Sequence, residues 1–186
     1  MNGEDLRLRV LGREATLERD IAEFVAVHYP RLIRLAGLIC RDAIDSEDAV
    51  QAGLERAWQR RRSLADPTRL AAWLDRIVVR EAIRLGRDRR SLRERLGRML
   101  GEHEGIELGV AHAEPDPGSA VTSRDALRHA FESLPAAQRA VVALHLYLGY
   151  SIAETAEMVG APLETVRSRL RLAREQMRFQ LSEAVR

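Results

Sequence analysis

The sequence predicts an all-α fold of two small helical domains joined by a flexible linker, and three observations carry that expectation. Apolar residues recur every three or four positions through both halves of the chain, as a helix with one buried face requires. Strand-like alternation of apolar and polar residues is nearly absent. Between about Gly97 and Thr122 the pattern dissolves into Gly101, Gly105, Gly109, Pro115, Pro117 and Gly118 among acids and few large apolar residues, the composition of a linker. The expected boundaries are an N-terminal extension over 1–20, a first domain over 21–96, a linker over 97–121 and a second domain over 122–186.

The first helix is read from about Ile21, where Phe24, Val25, Tyr29, Leu32, Ile33, Leu35, Ala36 and Ile39 fall at helical spacing. Asp45-Ser46-Glu47-Asp48 then supplies an N-cap with acids in the first turn, and Val50, Leu54, Ala57 and Trp58 continue an amphipathic helix. Asp66-Pro67 opens a third, with Asp as cap, Pro at the first helical position, and Leu70, Trp73, Leu74, Ile77, Val78, Ala82 and Leu85 on one side. Past the linker, starts are expected near Ser123, at Pro135, at Ser151 with the capping box Ser151 to Glu154, and at Pro162. Short segments closing on Gly149 and Gly160 before a long last helix suit a helix-turn-helix.

Composition excludes several classes of function. The longest stretch without a charged residue, Ala140 to Ala153, is 14 positions and holds His145 and Gly149, whereas a membrane span needs about 20 mostly apolar residues. Met1 to Arg19 alternates charges with single apolar residues and has no secretory apolar core, so a cytoplasmic location is expected. Cys40 is the only cysteine, which excludes an internal disulfide and multi-cysteine metal clusters, and it reads as a buried structural thiol. His28, His103, His112, His129 and His145 form no pair of metal-ligand spacing. With no phosphate-cradling glycine loop, nucleophile elbow or clustered Ser, His and Asp, neither an enzyme nor a cofactor site is expected.

The net charge of +2 conceals strong segregation. Residues 1–55 carry −4, 56–98 carry +9 from 14 Arg against 5 acids, 102–132 carry −5, and 139–186 carry +2; every one of the 30 basic residues is Arg. Within the basic block Arg76, Arg80, Arg84 and Arg87 sit about one turn apart behind the apolar side, the footprint of a nucleic-acid surface. A solvated helix face paired with its own acids would show the same pattern. Trp58 and Trp73 could stack on bases, but their apolar neighbours at helical spacing favour core positions.

The last helix is sharper. Leu163, Val166, Leu170, Ala173, Met177 and Leu181 mark a buried stripe, and the other face presents Glu164, Arg167, Ser168 and Arg171. In a helix-turn-helix the second helix enters the major groove N-terminal end first, so these side chains would reach base edges. Arg169, Arg174 and Arg178 lie where phosphates would run.

The motifs together resemble a known family. Asp45-Ser-Glu-Asp-Ala-Val-Gln51 followed by Ala57-Trp58, then Ala72-Trp73-Leu74-x-Arg76-Ile77, an acidic linker, and Leu134-Pro135-x-x-Gln138-Arg139 ahead of Thr165-Val166-Arg167-Ser168-Arg169-Leu170 are similar to the extracytoplasmic-function (ECF) sigma factors, the minimal members of the sigma-70 family. The resemblance covers about 21–95 and 120–181. It implies a bacterial transcription initiation factor that binds core RNA polymerase, recognises promoter elements near −10 and −35 and promotes strand opening, with catalysis left to the polymerase. By similarity, Asp45, Glu47, Asp48 and Gln51 dock on polymerase. Arg76, Arg80, Arg84 and Arg87 face the −10 element, and the segment Ser63 to Leu70 captures an unstacked base. Glu164, Thr165, Arg167, Ser168, Arg171 and Arg174 read the −35 element. An anti-sigma factor is implied as a further partner. Ala52 and Leu54 depart from the residues common in the family, which implies rearranged polymerase contacts, and Arg80 and Arg84 depart in the −10 helix, so the −10 preference does not transfer. A stand-alone helix-turn-helix regulator and a sigma-like decoy that binds an anti-sigma factor are the alternative readings.

Overall fold

The computed structural model describes residues 3–64, 66–100 and 123–184; among these described residues seven α-helices form two helical units and none lies in a strand. The first unit comprises α1 (Gly3–Cys40), α2 (Ala43–Arg60) and α3 (Leu70–Leu100). The second comprises α4 (Ser123–Glu132), α5 (Ala136–Val142), α6 (Ile152–Val159) and α7 (Leu163–Ala184).

Three expected boundaries move. Helix α1 begins at Gly3, well before the first periodic position, so 1–20 is not a separate extension as far as it is described; Leu17 already packs against the cluster of Ile21, Ala57, Leu70 and Leu74. The N-cap of α2 is Asp42, whose carboxylate accepts from the Asp45 backbone N–H at 3.1 Å, rather than the acidic run that follows it. The cap sits there because Arg41 takes a left-handed conformation (φ 76°) that ends α1 and turns the chain, leaving Asp42 extended at the mouth of α2. Helix α3 runs to Leu100, so 97–100 belong to it, and the rest of the expected linker lies outside the described residues.

Other local expectations hold. Asp66 accepts from the Thr68 N–H at 3.0 Å and from its hydroxyl at 2.7 Å, holding a short 3-10 turn at Pro67–Arg69 that leads into α3. The Ser151–Glu154 capping box closes reciprocally at 3.2 Å and 2.8 Å. Between α5 and α6 the chain unwinds slightly instead of stopping: Ala143–Tyr147 is a wider, π-helical turn, Leu148 N–H reaches the Ala143 carbonyl at 2.9 Å, and Gly149 (φ 76°) ends it.

Two apolar clusters hold the units. One gathers Ile21, Ala57, Leu70 and Leu74, with Trp73 packed at its edge, where α1, α2 and the start of α3 meet. The other is shared by both units. Leu32, Ile39, Val78, Val79 and Ile83 of α1 and α3 are continuous with Leu134, Ala140, Leu144, Val159, Val166 and Leu170. Each fully buried Leu or Ile contributes roughly 1.5–3 kcal/mol, so the two halves are bound by the same hydrophobic effect that folds each one.

Cys40 lies inside the shared cluster, its Sγ 3.8 Å from the Ala82 carbonyl. Burial, then the nearby Asp45 carboxylate, push its thiol up to about 12 from 9.0. A thiol held protonated in the folded state favours folding over pH values where the unfolded chain keeps its proton too. That contribution falls between pH 9 and 12, by about 1.4 kcal/mol per unit at most. Chemical denaturation from pH 8 to 10.5 is therefore expected to show a decline in stability that Cys40→Ala lessens.

Candidate nucleic-acid and partner interface

Three surfaces carry the residues singled out from the sequence. On α2, Glu47, Asp48 and Gln51 are exposed and share one side of the helix, a spacing of three to four residues that places them over successive turns. Asp45 turns the other way. It is buried and paired with Arg89 of α3, so its carboxylate is spent inside the molecule in this conformation.

On α3 the four arginines part company. Arg84 is held by Glu81 at 2.9 Å and Asp88 at 3.2 Å, both on its own helix, and the hydrogen bond to Glu81 raises its pKa. Glu81 is fully buried and also takes Arg56 of α2, so one carboxylate gathers two guanidiniums. Arg76 lies 3.8 Å from the Glu157 carboxylate, and Arg80 donates to the carbonyls of Glu157 at 2.7 Å and Met158 at 3.2 Å, all on α6. Burial, then the charges of Arg76 and Arg60, lower the Arg80 pKa. Arg87 is exposed. The stripe thus divides between α6, the acids of its own helix and solvent rather than forming one open face.

Beside it, Trp58 is 46% exposed with the Arg61 guanidinium 4.8 Å from its ring, whereas Trp73 is packed inward. Of the segment 63–70, Asp66, Pro67, Thr68 and Arg69 are exposed and Leu70 is buried.

The third surface is the helix pair α6–α7. Gly160 takes the left-handed conformation (φ 66°, ψ 45°), and its N–H and that of Ala161 both return to the Ala156 carbonyl, which ends α6 within one residue and sets the angle of α7. Val166, Leu170 and Ala173 are buried, while Leu163, expected in that stripe, is 45% exposed because it opens α7 beyond the edge of the core. Opposite them Glu164, Arg167, Ser168, Arg171 and Arg174 are exposed and Thr165 half-buried. Arg167 pairs with Glu164 and Arg171 with Glu175 at 3.2 Å. Pairs between exposed groups on one helix are worth only a few tenths of a kcal/mol, so both guanidiniums are available to a stronger acceptor. They line an open groove of about 420 Å³ with Arg174, His145 and Ile152.

Arg169 does not join them. It is half-buried on the side of α7 toward α3, where burial and the charge of Arg87 lower its pKa.

Arg139 is the position whose part the sequence did not disclose. Its guanidinium is buried; Nε donates to the Ile39 carbonyl at 2.9 Å, and the terminal nitrogens reach Ile39 again, Leu134, and Glu132 at 3.3 Å. It therefore ties the last turn of α1 to the α4–α5 junction. Burial and the neighbouring Arg41 pull its pKa down to about 10. Asp75 was equally unmarked: buried on α3, it takes both terminal nitrogens of Arg31. Nothing in the local sequence distinguishes these from surface charges.

Comparison with known proteins agrees with this division. The model "Sigma-70 region 2" matches residues 24–92, and "Sigma-70, region 4" matches 124–177. The ECF RNA polymerase sigma factor SigL of Mycobacterium tuberculosis is 35% identical over 173 residues, 91% of this chain and 92% of its own. SigM, named as an ECF RNA polymerase sigma factor of the same organism, is 33% identical over 150 residues, 81% and 71% of the two chains. Among solved structures, CnrH in complex with the cytosolic domain of CnrY superposes with a TM-score of 0.54 at 25% identity, covering 89% of this chain and 90% of that one. The sigma factor RpoE from Bartonella quintana, solved with the anti-sigma factor NepR, shares the fold at 23% identity and a TM-score of 0.54.

Proposed function

The chain belongs to the ECF sigma factors of the sigma-70 family, and from that premise we propose how its surfaces divide the work of transcription initiation. In this proposal the chain, as a sigma factor, binds core RNA polymerase and promoter DNA and answers to an anti-sigma factor, the kind of partner with which the similarly folded RpoE was solved. The family is one of non-enzymatic transcription factors, and RNA synthesis belongs to the polymerase; we assign no reaction to this chain's own side chains. Its place of action is the cytoplasm, where polymerase and DNA are, and no described helix is long and apolar enough to cross a membrane.

In this reading Glu47, Asp48 and Gln51 of α2 meet a basic face of polymerase. Asp45 helps hold the start of α2 through Arg89 and joins that contact only if the pair is exchanged. Arg76, Arg80, Arg84 and Arg87 face the −10 element, where an opened strand offers phosphates and unstacked bases. Glu164, Thr165, Arg167, Ser168, Arg171 and Arg174 address the −35 duplex. A chain that binds the separated strands better than the duplex shifts melting by the difference in affinity. The boundaries proposed for the two functional units are 21–96 and 122–186, with 97–121 as the connection.

The observation that carries the reading is the placement of an exposed acidic face on α2 and an exposed arginine face on α7 in separate helical units of one chain. Gel filtration with core polymerase lacking sigma tests it. Co-elution near one to one is expected; its failure with folded chain would favour a stand-alone DNA binder or a decoy. Asp48→Arg is expected to weaken that association about tenfold or more, since a like charge against a basic partner costs at least ~1.4 kcal/mol. The circular dichroism should not change, because Asp48 is exposed.

A further inference from the structure

Four guanidiniums meet in one crevice of about 350 Å³ between α3 and the turn from α6 into α7, lined by Arg80, Arg84 and Arg87 from α3 and by Arg169 from α7. Asp88 is the one acid among its lining residues, and it is already bonded to Arg84 at 3.2 Å. Glu81 takes Arg84 as well, at 2.9 Å, so that arginine is neutralised on its own helix. The other three are not. Arg80 donates through Nε and Nη2 to the carbonyls of Met158 and Glu157, which offer dipoles rather than a charge, and its Nη1 is left without a partner. Arg87 and Arg169 have neither an acid nor a hydrogen-bond acceptor among the described residues.

Three like charges are therefore held together without a counter-charge, and partly out of water. Burial is the first cause that lowers the pKa of Arg80 and of Arg169, and for Arg169 the charge of Arg87 is the second. On an open surface water and salt would screen such repulsion, whereas in a crevice more of it persists. The remaining walls include the buried side chains of Ile83 and Val159, which cannot relieve it. An anion can. One phosphoryl group brings a charge of about −1.5 to −2, so three uncompensated guanidiniums call for two joined phosphoryl groups. Arginine suits them, because its planar fork of N–H donors meets several phosphate oxygens at once. No aromatic ring lines the crevice, so the phosphates rather than a stacked base are what it would recognise.

We propose that this crevice is a binding site for a small polyphosphate, a molecule with two adjacent phosphoryl groups such as pyrophosphate or the diphosphate of a nucleotide, held by Arg80, Arg87 and Arg169. The site shares Arg80 and Arg87 with the face proposed for the −10 element, but it does not rest on that assignment. Arg169 stands outside both sets of residues proposed for promoter DNA.

Calorimetric titration of the full chain with pyrophosphate, in low-salt buffer without divalent cations, tests the site. One molecule per chain is expected, with affinity falling as salt rises, and orthophosphate should bind about tenfold more weakly or worse. Arg169→Ala and Arg87→Ala each remove charge-assisted hydrogen bonds and should lower pyrophosphate affinity about tenfold or more. Arg128→Ala removes the same charge from an exposed position on α4, outside the crevice, and should change affinity less than about twofold. Because Arg87 is exposed, its variant keeps the test decisive should loss of the half-buried Arg169 disturb the fold. Titration with ADP and GDP distinguishes the sources: affinities equal to that of pyrophosphate support the diphosphate as all that is recognised, and much tighter binding of either supports the site in its nucleotide form. No binding of pyrophosphate, or an equal loss in all three variants, would overturn the proposal and leave only diffuse attraction to a basic face. So would a single-stranded oligonucleotide that depends on Arg87 and Arg169 while pyrophosphate does not bind, since the crevice would then serve DNA. No arm involves polymerase or a promoter, so failure of those assignments leaves this result standing.

Discussion

Arg139→Ala is expected to lower the free energy of unfolding by about 3–5 kcal/mol, a large share of the ~5–15 kcal/mol that holds a domain together. The guanidinium is 5% exposed and satisfies carbonyls of Ile39, Leu134 and Glu132, the first of them 100 residues away in the chain. Truncation leaves buried acceptors without donors, at roughly 1–3 kcal/mol each, and adds a cavity beside Leu134 and Cys40. Two comparisons sort these causes. Arg139→Met keeps most of the volume and removes only the donors, so it should still lose about 2 kcal/mol or more. Arg139→Lys keeps the charge but cannot span acceptors on two elements with one ammonium, and it should fall between the wild type and the alanine variant. Urea denaturation of the three variants measures this; a loss below about 0.5 kcal/mol in the alanine variant, typical of an exposed residue, would show that the anchor does not form.

The double change Arg167→Ala with Arg171→Ala should abolish most promoter-directed transcription while leaving the fold and polymerase binding intact. Both side chains are exposed on α7 and tied only to Glu164 and Glu175 of the same helix, so stability should move by less than about 0.5 kcal/mol. A guanidinium on a guanine edge is worth about 1–3 kcal/mol, and two such contacts give a loss on the order of a hundredfold in occupancy of the −35 duplex. The salt dependence identifies which oxygens they touch. If the arginines meet phosphates, the slope of affinity against salt falls by about one for each; if they meet bases, the slope holds and sequence preference relaxes. Equal loss of transcription and of co-elution with core polymerase would count against a specific role at the promoter.

The features legible in the sequence are those written within a few turns of the chain. The capping box at Ser151, the Asp66 cap and the glycine stop at Gly160 each depend on residues two to five positions apart, and their hydrogen bonds form wherever the helix forms. The polar face of α7 follows from the spacing of Val166, Leu170 and Ala173 alone. Even locally there were limits. The cap of α2 went to Asp42 because Arg41 adopts a left-handed turn that composition does not announce, and the π turn at Ala143–Tyr147 carries no cap or breaker at its start.

By itself, then, the sequence determined the helices, the basic and acidic faces they present and the membership that their order implies. Which charges remain available was decided only by the tertiary structure. Asp45, Asp75 and Glu81 look like their exposed neighbours until Arg89, Arg31 and Arg56 arrive from elements 44, 44 and 25 residues away. Arg80 is a surface cation on α3 until α6 brings two carbonyls to it from 77 and 78 positions along the chain. The reason is reach. Helix periodicity and caps are fixed by spacing within a turn or two, but an arginine can extend to acceptors on any element that packing brings near, and that packing is set by apolar contacts distant in the chain.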